Sequence, residues 1–463
     1  MPRPYRVLLV GLLAWSVLAF GGVYPWAYWP VIVISAGLGA WAIPVTAAWR
    51  DPRVRTLGLA LFAVAAAIAV QLVPLPPDVV LVISPDTAHW LREARFGLTA
   101  DAGWRSLSLA PRDTAIVLTE FVAFALLLIG LVRAIRHVGI PWFLTQLCGL
   151  GMGLAVLGVV QRLLTDADQP LVYGFWRPVQ GGNPFGPFVN RNHFAGWMVM
   201  ALPLLVGFSM GLALDRDGSR RDGWANWLRW SSTVEAHRVL VVIASALGMG
   251  LALVVTGSRS GLASLAVGLT AVAALMWRRL PTRGARLAAV TYVVLVLLGA
   301  VGWAGVNRTL DRFGPASRDF TSRITAWRDT LRMVEGFPWA GVGLGAYGEA
   351  MLVYQSGPRE VQYVQAHNDY LQLAAEGGLL VGLPALGLAI VVIRQVRRRF
   401  TSGEDAPLTQ WIRAGAVGGL VGIAAQSLVE FSLHLPGNGV LFVLLMALAL
   451  HRPSRPPAHA HRV

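Results

Sequence analysis

Long apolar runs separated by short polar segments dominate the pattern of this chain. Many runs approach about 20 residues, the length with which an α-helix crosses the hydrocarbon core of a bilayer. The pattern predicts an all-α integral membrane protein, with one polytopic domain over residues 1–463 and about twelve transmembrane helices. The predicted spans are 7–23, 29–48, 56–73, 113–132, 141–163, 192–214, 238–256, 261–277, 287–305, 367–393, 411–429 and 439–451.

Three long segments separate predicted spans on one side of the membrane: residues 74–112, 164–191 and 306–366. The third is the largest and lies between the ninth and tenth spans. A short interfacial helix is predicted around His89–Arg95 in the first segment. The tail, residues 452–463, is rich in Arg, Pro and His, a composition that predicts disorder.

Charge adds the orientation of the chain. Hydrophobic residues make up 55% of the sequence, the formal net charge is +15, and every one of the 39 basic residues is Arg. These Arg stand in short loops between apolar runs, which is the positive-inside pattern of a membrane protein rather than a face that binds nucleic acid. One set of loops holds 24 of the Arg and only seven acidic residues. Both termini are therefore predicted in the cytoplasm, with the three long segments on the outer face.

The sequence gives little support for metal, thiol or nucleotide chemistry. Cys148 is the single cysteine, which excludes a disulfide framework and a cluster of thiolate ligands. Two Asp-x-Asp triplets, Asp166–Asp168 and Asp215–Asp217, offer fewer oxygen ligands than hard cations collect, so no metal site is predicted. Walker, G-x-S-x-G and zinc-binding patterns do not occur in the sequence, which argues against ATP hydrolysis, serine hydrolysis and zinc catalysis.

One stretch of the largest outer segment predicts an amphipathic helix. Its apolar stripe consists of Phe320, Ile324, Trp327, Leu331 and Val334. Their spacings of three and four place them on one helix face, and Arg323 and Arg328 flank that face. We expect the helix to lie on the outer membrane surface, with both guanidinium groups at the level of the lipid headgroups. Two Arg that merely snorkel to the surface are the alternative.

Arginine also stands in two polar turns beside apolar runs on the outer side. Arg259 lies within the small-residue run Thr256–Gly261, and Arg191 stands between Asn190 and Asn192. Small neighbours allow backbone N–H groups to approach a phosphate while a guanidinium group binds two of its oxygens, so an anion clamp is one interpretation. An interfacial anchor is the other, because charge beside hydrocarbon is costly without such a role.

Four further polar residues lie on the same outer side or beside it. His367 begins a predicted span, where the helix N-terminus and nearby Arg disfavour the imidazolium form. A neutral imidazole suits a general base, while a headgroup-level His without a catalytic role is the alternative. Glu376 lies roughly two to three turns further along the helix. It is expected to be paired or protonated, with a role in packing or catalysis. Glu430 and His434 stand on the last outer turn.

The order of these residues resembles the O-antigen ligase/polymerase superfamily, over roughly residues 150–450. The matching motifs are Ser322-Arg323-Ile324-x2-Trp327, Pro338, Gly341-Val342-Gly343-x-Gly345, His367-Asn368-x2-Leu371, Glu376-x-Gly378, the turn Thr256–Gly261 and the segment Asn190–Ala195. Any one of them is weak, but their order and their common membrane face make the set specific.

The resemblance implies a GT-C-type glycosyltransferase at the periplasmic face of the bacterial inner membrane, acting without nucleotide sugar, metal or other cofactor. Its donor would be a glycan on undecaprenyl diphosphate, and its acceptor a hydroxyl group of lipid A-core. Arg259 and Arg191, with Arg323 as a weaker correspondence, would bind the diphosphate, and His367 would activate the acceptor. Candidate supporting residues are Asn368, Glu376, Glu430 and His434.

Two alternatives stay open at this point. An O-antigen or exopolysaccharide polymerase would transfer to another lipid-linked repeat unit, other relatives transfer to protein, and the shared motifs do not define the acceptor. A non-enzymatic flippase or transporter of lipid-linked glycans would favour inverted repeats and charges within the spans. The charged candidates here gather at one interface instead, which favours chemistry over transport. Among the transferases that the resemblance implies, a ligase acting on lipid A-core is the first expectation and a polymerase is the next.

Overall fold

A computed structural model describes residues 3–43, 51–87, 103–165, 171–178, 182–214, 233–280, 282–284, 286–287, 291, 315–357, 362–401 and 405–452. Within these ranges the structure consists of α-helices, short 3-10 turns and three isolated β-bridges, without a β-strand. The all-α class is thereby confirmed for the described part of the chain. The interfacial helix around His89–Arg95, the two Asp-x-Asp triplets and nearly all of the tail lie outside the described residues.

The helices are α1 Arg3–Leu18, α2 Pro25–Ala42, α3 Pro52–Val70, α4 Pro77–Ile83, α5 Pro111–Val138, α6 Ile140–Leu164, α7 Arg191–Leu214, α8 Val234–Thr256, α9 Arg259–Met276, α10 Pro315–Gly336, α11 Tyr347–Tyr354, α12 Asp369–Thr401, α13 Pro407–Gln426 and α14 Pro436–Leu450. Several begin where local chemistry favours it: Pro occupies the first turn of α2, α3 and α13, and Asp51 and Thr233 cap α3 and α8 through their side chains.

Seven helices are long and apolar enough to cross a membrane, and α14 is a shorter apolar helix. The seven are Pro52–Val70, Pro111–Ile135, Ile140–Leu164, Arg191–Leu214, Ala236–Thr256, Arg259–Arg279 and Asp369–Thr401. They support a multi-pass membrane protein. The total of twelve spans stays a prediction. The first, second, eleventh and twelfth predicted spans correspond to α1, α2, α13 and α14, which are not among these seven helices, and almost all of the ninth, 287–305, lies outside the described residues.

The core forms around α7, whose side chains Phe194, Trp197 and Phe208 are fully buried. Helix α13 approaches α7 closely because both helices place glycine at the contact. A Cβ atom on Gly207 would lie 2.3 Å from the carbonyl oxygen of Trp411, and one on Gly415 would lie 2.6 Å from that of Pro203. Such small-residue contacts are typical of helices packed within a membrane. They fix the outer end of α7 beside the segment that follows α13.

Helix α10 is present where the amphipathic pattern predicted a helix. The face that packs against the protein, however, is not the predicted apolar stripe. Ala326, Thr330 and Met333 are buried, whereas Leu331 of the apolar stripe is 51% exposed. A buried carboxylate anchors this face, because Asp329 accepts hydrogen bonds from Ser356 N (2.9 Å) and Ser356 Oγ (2.8 Å). The side chain of Phe320 lies outside those that the structure describes.

Helix α12 is interrupted at Gly378, whose φ of 54° and ψ of −156° do not belong to a helix. The glycine-rich turn, residues 337–345, fills the interruption. Four backbone hydrogen bonds join the two segments: Val342 N to Ala375 O (3.0 Å), Gly343 N to Glu376 O (3.0 Å), Leu379 N to Pro338 O (2.9 Å) and Leu380 N to Trp339 O (2.8 Å). Only glycine fits here, since a Cβ atom on Gly378 would lie 2.6 Å from Gly341 N.

The side chain of Gln71, just after α3, completes this junction. Its Nε2 atom donates to Ala340 O (2.7 Å) and Glu376 O (2.8 Å), and its Oε1 atom accepts from Leu344 N (3.1 Å). Gln71 is fully buried, so these three bonds satisfy backbone groups that water does not reach. The glycine-rich turn is therefore fixed to α3 and α12 together.

Candidate functional site

Glu430 lies at the centre of a polar cluster at one end of α7 and α12. Its side chain is 1% exposed. Asn192 Nδ2 donates to Glu430 Oε1 at 2.7 Å, and the NH2 atom of Arg323 lies 3.0 Å from the same oxygen. The other carboxylate oxygen, Oε2, faces His367 Nδ1 at 3.6 Å. Three separate segments of the chain thus meet at one carboxylate.

The contacts of Glu430 favour its charged form. Burial by itself opposes the carboxylate, but the adjacent His367 ring and the Arg323 guanidinium outweigh this effect and hold the pKa of Glu430 below its ordinary value. At 3.6 Å from Nδ1, the ionised carboxylate favours, by its charge rather than by a hydrogen bond, the His367 tautomer that carries its proton on Nδ1. The Nε2 atom is then an acceptor, as a general base requires.

An aromatic ring separates and orients two imidazoles at this site. Phe431 makes edge contacts with His367 (4.8 Å between centroids, 82° between planes) and with His193 (4.6 Å, 78°). His193 is buried, and neither of its ring nitrogens has a hydrogen-bond partner among the described residues. The His193 ring therefore acts here by packing: it supports Phe431, and Phe431 limits the rotation of His367.

The backbone of His367 adopts a left-handed conformation with φ 51°, which is rare for a residue other than glycine. Its neighbours hold this conformation in place. Ala366 N donates to Gln372 Oε1 (3.0 Å), and Ala366 O accepts from Trp327 Nε1 (2.9 Å). Strained backbone of this kind costs about 1–3 kcal/mol and gathers at functional sites. The side chain of His367 remains 30% exposed, so a substrate can reach it.

Asn368 is the N-cap of α12. Its Oδ1 atom accepts hydrogen bonds from Tyr370 N (3.1 Å) and Leu371 N (3.0 Å). A side-chain oxygen of this type satisfies backbone donors at a helix start, which explains why Asn suits the position. Asn368 thus fixes the start of α12 immediately after His367.

A second His–carboxylate pair lies beside the first. His434 Nε2 is 3.2 Å from Asp369 Oδ1, and Ser427 Oγ donates to Asp369 Oδ2 at 2.6 Å. Partial burial by itself disfavours a charged ring, but the Asp369 carboxylate outweighs it and raises the pKa of His434 above its ordinary value. The His434 ring is therefore protonated more readily than a free imidazole. It is better suited to binding an anion than to accepting a proton.

The two arginine-bearing turns adjoin each other. Arg191 NH1 donates to Thr256 O at 3.3 Å and lies against Gly257, which ends α8 in a left-handed conformation. Arg259 is the first residue of α9, and its side chain is exposed. Because Asn192 follows Arg191 and bonds to Glu430, this pair of turns borders the His367–Glu430 cluster.

Glu376 lies in the junction with the glycine-rich turn. Its Oε1 atom accepts from Tyr347 N (3.1 Å) and Gln372 Nε2 (3.2 Å). These bonds hold α11 against α12, which agrees with the packing role that the sequence left open for Glu376.

Sequence reasoning did not select Asp369, Phe431, Gln71 or Asn192 as site residues. Asp369 could have been found from its place directly after His367 and Asn368, and Gln71 from being a polar residue at the end of an apolar run. Phe431 gives no such signal, because an aromatic residue on an outer turn is ordinary at a membrane interface. Within the described ranges, no group of three or more His, Cys, Asp or Glu side chains is placed to hold a metal ion.

Comparison with families of known proteins identifies part of the chain. The model of a family described as O-antigen ligase matches residues 244–386. This segment includes Arg259, Arg323, His367 and Glu376, while Arg191 and the 427–434 segment lie outside it. No curated protein matches the chain.

Proposed function

We propose that this membrane protein transfers a glycan from undecaprenyl diphosphate to a hydroxyl group of lipid A-core. The match of residues 244–386 to the O-antigen ligase family supports this function. The observation that supports it most is the pairing of His367 with the buried carboxylate of Glu430. This pairing brings a residue within the matched segment together with one outside it. It also supplies the oriented base that glycosyl transfer to a hydroxyl requires.

His367 is the general base in this proposal. Its Nε2 atom takes the proton of the acceptor hydroxyl as that oxygen attacks the anomeric carbon of the donor sugar. The bond between the anomeric carbon and the phosphate oxygen breaks, and undecaprenyl diphosphate leaves with the electron pair. Glu430 stabilises the imidazolium that forms, and general-base help of this kind contributes about 10²- to 10⁴-fold in rate.

Arg191 and Arg259 bind the diphosphate. Negative charge grows on the leaving phosphate oxygen as the bond breaks, and fixed guanidinium groups stabilise that charge without a metal ion. The contact of Arg191 with the turn that precedes Arg259 supports a shared role for the pair. His434, whose charged form Asp369 favours, is a further cationic group of the site.

Arg323 takes a different role from the one its motif suggested. Its NH1 atom donates to Val429 O at 2.7 Å and its NH2 atom pairs with Glu430 at 3.0 Å. We assign Arg323 to positioning Glu430, and through it His367. Asn368 and Glu376 position the start of α12 and the glycine-rich turn. The site is proposed to face the periplasm of an inner-membrane protein.

The test is transfer by the purified protein from undecaprenyl-diphosphate glycan to lipid A-core, with excess chelator present. We expect His367→Ala to lower the rate by about 10²- to 10⁴-fold while donor binding is retained. His367→Gln should be equally poor, because an amide cannot accept the proton. His237→Ala, at an exposed histidine near the start of α8, is the matched control and should keep full activity.

Two outcomes would contradict these roles. Near wild-type transfer by His367→Gln would reduce His367 to a positioning group, and loss of donor binding by His367→Ala would place it in the diphosphate clamp. Product that forms without added acceptor and grows by whole repeat units would identify a polymerase of the same superfamily.

A further inference from the structure

A separate cavity of about 240 Å³ lies at the far end of α10. Segments 83–86 and 335–339 line it, and its functional groups come from Asp86, Glu335 and Trp339. No residue of the His367–Glu430 cluster lines this cavity. On this measure of volume one water molecule needs about 10–15 Å³, so the cavity has room for a group as large as a single sugar ring.

Trp339 presents its indole ring on a rigid support. The side chain is 63% exposed, although the backbone of Trp339 accepts a hydrogen bond from Leu380 N at 2.8 Å within the break of α12. Phe337, two residues earlier, is buried and anchors the start of the turn in the protein core. A flat apolar side chain on a rigid backbone suits a ligand with a flat C–H face, as a sugar ring has.

The other groups make the cavity negative. Asp86 and Glu335 both line it, and Asp86 Oδ2 would lie 2.5 Å from a Cβ atom on Gly336, at the end of α10. The last carbonyl groups of a helix add further negative partial charge there. Such a cavity attracts hydroxyl donors and repels phosphate, so it differs in chemistry from the arginine-bearing turns and does not suit the phosphate of a lipid headgroup.

Helix α10 connects the cavity to the candidate site. Arg323, which pairs with Glu430, and Gly336, which lines the cavity, stand about 13 residues apart on this helix. At 1.5 Å per residue the distance is roughly 20 Å, which an oligosaccharide of a few sugars can span. A glycan whose reacting end lies at His367 can therefore reach the cavity with a later sugar.

We propose that the cavity formed by Asp86, Glu335 and Trp339 is a sugar-binding subsite, in which one ring of a glycan packs on Trp339 and donates hydroxyl hydrogen bonds to the carboxylates. This deepens the proposed transferase function and rests on it for the identity of the glycan. The sugar could belong to the donor or to the acceptor, since both are hydroxyl-rich.

The experiment measures binding of two free oligosaccharides to the full-length protein in detergent by titration calorimetry. One probe is core oligosaccharide released from lipopolysaccharide, and the other is the repeat-unit oligosaccharide released from its diphosphate lipid. Trp339→Ala should weaken binding of one of them by about tenfold. Trp339→Phe should retain most of the affinity. The control, Trp104→Ala, removes a tryptophan that is 68% exposed on another outer segment and should leave binding unchanged.

The probe that loses affinity identifies the source of the sugar. Weaker binding of the core oligosaccharide would assign the subsite to the acceptor, and weaker binding of the repeat unit would assign it to the donor. If Trp339→Ala does not fold, Glu335→Gln at an exposed position replaces it and should also weaken binding. Wild-type affinity in these variants, or no binding of either probe by the unaltered protein, overturns the subsite. Because binding is measured without transfer, an inactive but glycan-binding protein would contradict the proposed function and not the subsite.

Discussion

The charge of Glu430 connects every polar contact at the centre of the candidate site. Its two oxygens contact Asn192, Arg323 and His367, so protonation of the carboxylate weakens all three contacts at once. Removing one partner of a buried pair leaves an uncompensated charge, at a cost of about 3–5 kcal/mol. We therefore expect the site to respond to acid through Glu430.

The pKa of Glu430 predicts how stability depends on pH. Because the folded protein holds this pKa below its ordinary value of about 4.3, Glu430 contributes stability above that pH. The contribution is lost as the pH falls through the lower, folded-state pKa. Thermal unfolding in detergent, measured from neutral pH down to acid, should show this loss in the wild type and less of it in Glu430→Gln. Glu349→Gln, on α11, is the control that should keep the wild-type profile.

Arg259 tests the diphosphate clamp. If a planar guanidinium binds two phosphate oxygens at once, Arg259→Lys should lose transfer nearly as completely as Arg259→Ala. Steady-state transfer rates at matched protein levels provide the measurement. The control, Arg328→Lys at an exposed position of α10, should keep the wild-type transfer rate. An Arg259→Lys enzyme with normal rates would mean that Arg259 is an interfacial anchor.

Residue type and placement were enough to select His367, Arg191 and Arg259 from the sequence, because charged groups beside hydrocarbon are rare and informative. The partner of His367 could not be selected in the same way. Glu430 stands on a different outer turn, and only the packing of α13 on α7 brings it to Asn192 and His367. Pairings that depend on tertiary packing leave no trace in the spacing of one chain.

Among the helices, α12 has the least regular backbone, and its irregularity determines where the glycine-rich turn can sit. The apolar run predicted the helix, and Gly377-Gly378 permitted a break in it. That residues 337–345 would fill the break could not be read from the pattern, since it depends on backbone atoms of both segments. The sequence likewise predicted α10 but not its buried face, because Asp329 and Thr330 are buried polar residues.

Gly378→Ala should test this junction. A Cβ atom there would lie 2.6 Å from Gly341 N and 2.7 Å from Trp339 O, in a backbone conformation that disfavours alanine. We expect a loss of about 2–4 kcal/mol, measured by unfolding in detergent. Gly382→Ala is the matched control on the same helix, because nothing lies within 4 Å of its added Cβ. It should be neutral or slightly stabilising. Equal stability of the two variants would mean that the junction is not rigid.

Across the whole molecule, helices α7, α12 and α13 bring their ends together on one side. The sequence predicted that the outer segments share a face, since Arg is concentrated in the loops of the opposite side. It did not predict the order of helix neighbours. Close approaches through Gly207 and Gly415 determine that order, and glycines occur throughout this chain, so their number alone does not identify the contacting pairs.

Cysteine labelling tests the orientation. Gln362 precedes α12 and Ala406 follows it, and both positions are exposed. The native Cys148 is buried and can be replaced by Ala. In intact cells a membrane-impermeant maleimide should label Gln362→Cys and not Ala406→Cys. Both variants should react after the membrane is dissolved, which controls for accessibility. Labelling of both positions from the same side would contradict the topology and the periplasmic site.

The break in α12 has a consequence for its depth in a bilayer. Arg394 is the first charged residue after the break, and with it at one edge of the hydrocarbon, Gly378 lies roughly 24 Å away along the helix. The hydrocarbon is about 30 Å thick, so the glycine-rich turn lies close to the far edge, at the level where the hydrocarbon gives way to the lipid headgroups. Hydrogen bonds from α12 and Gln71 satisfy backbone amide and carbonyl groups of the turn, which water does not reach there. His367 precedes Gly378 by eleven residues and lies beyond the break on the side away from Arg394, toward the layer where the phosphates of a membrane lipid reside.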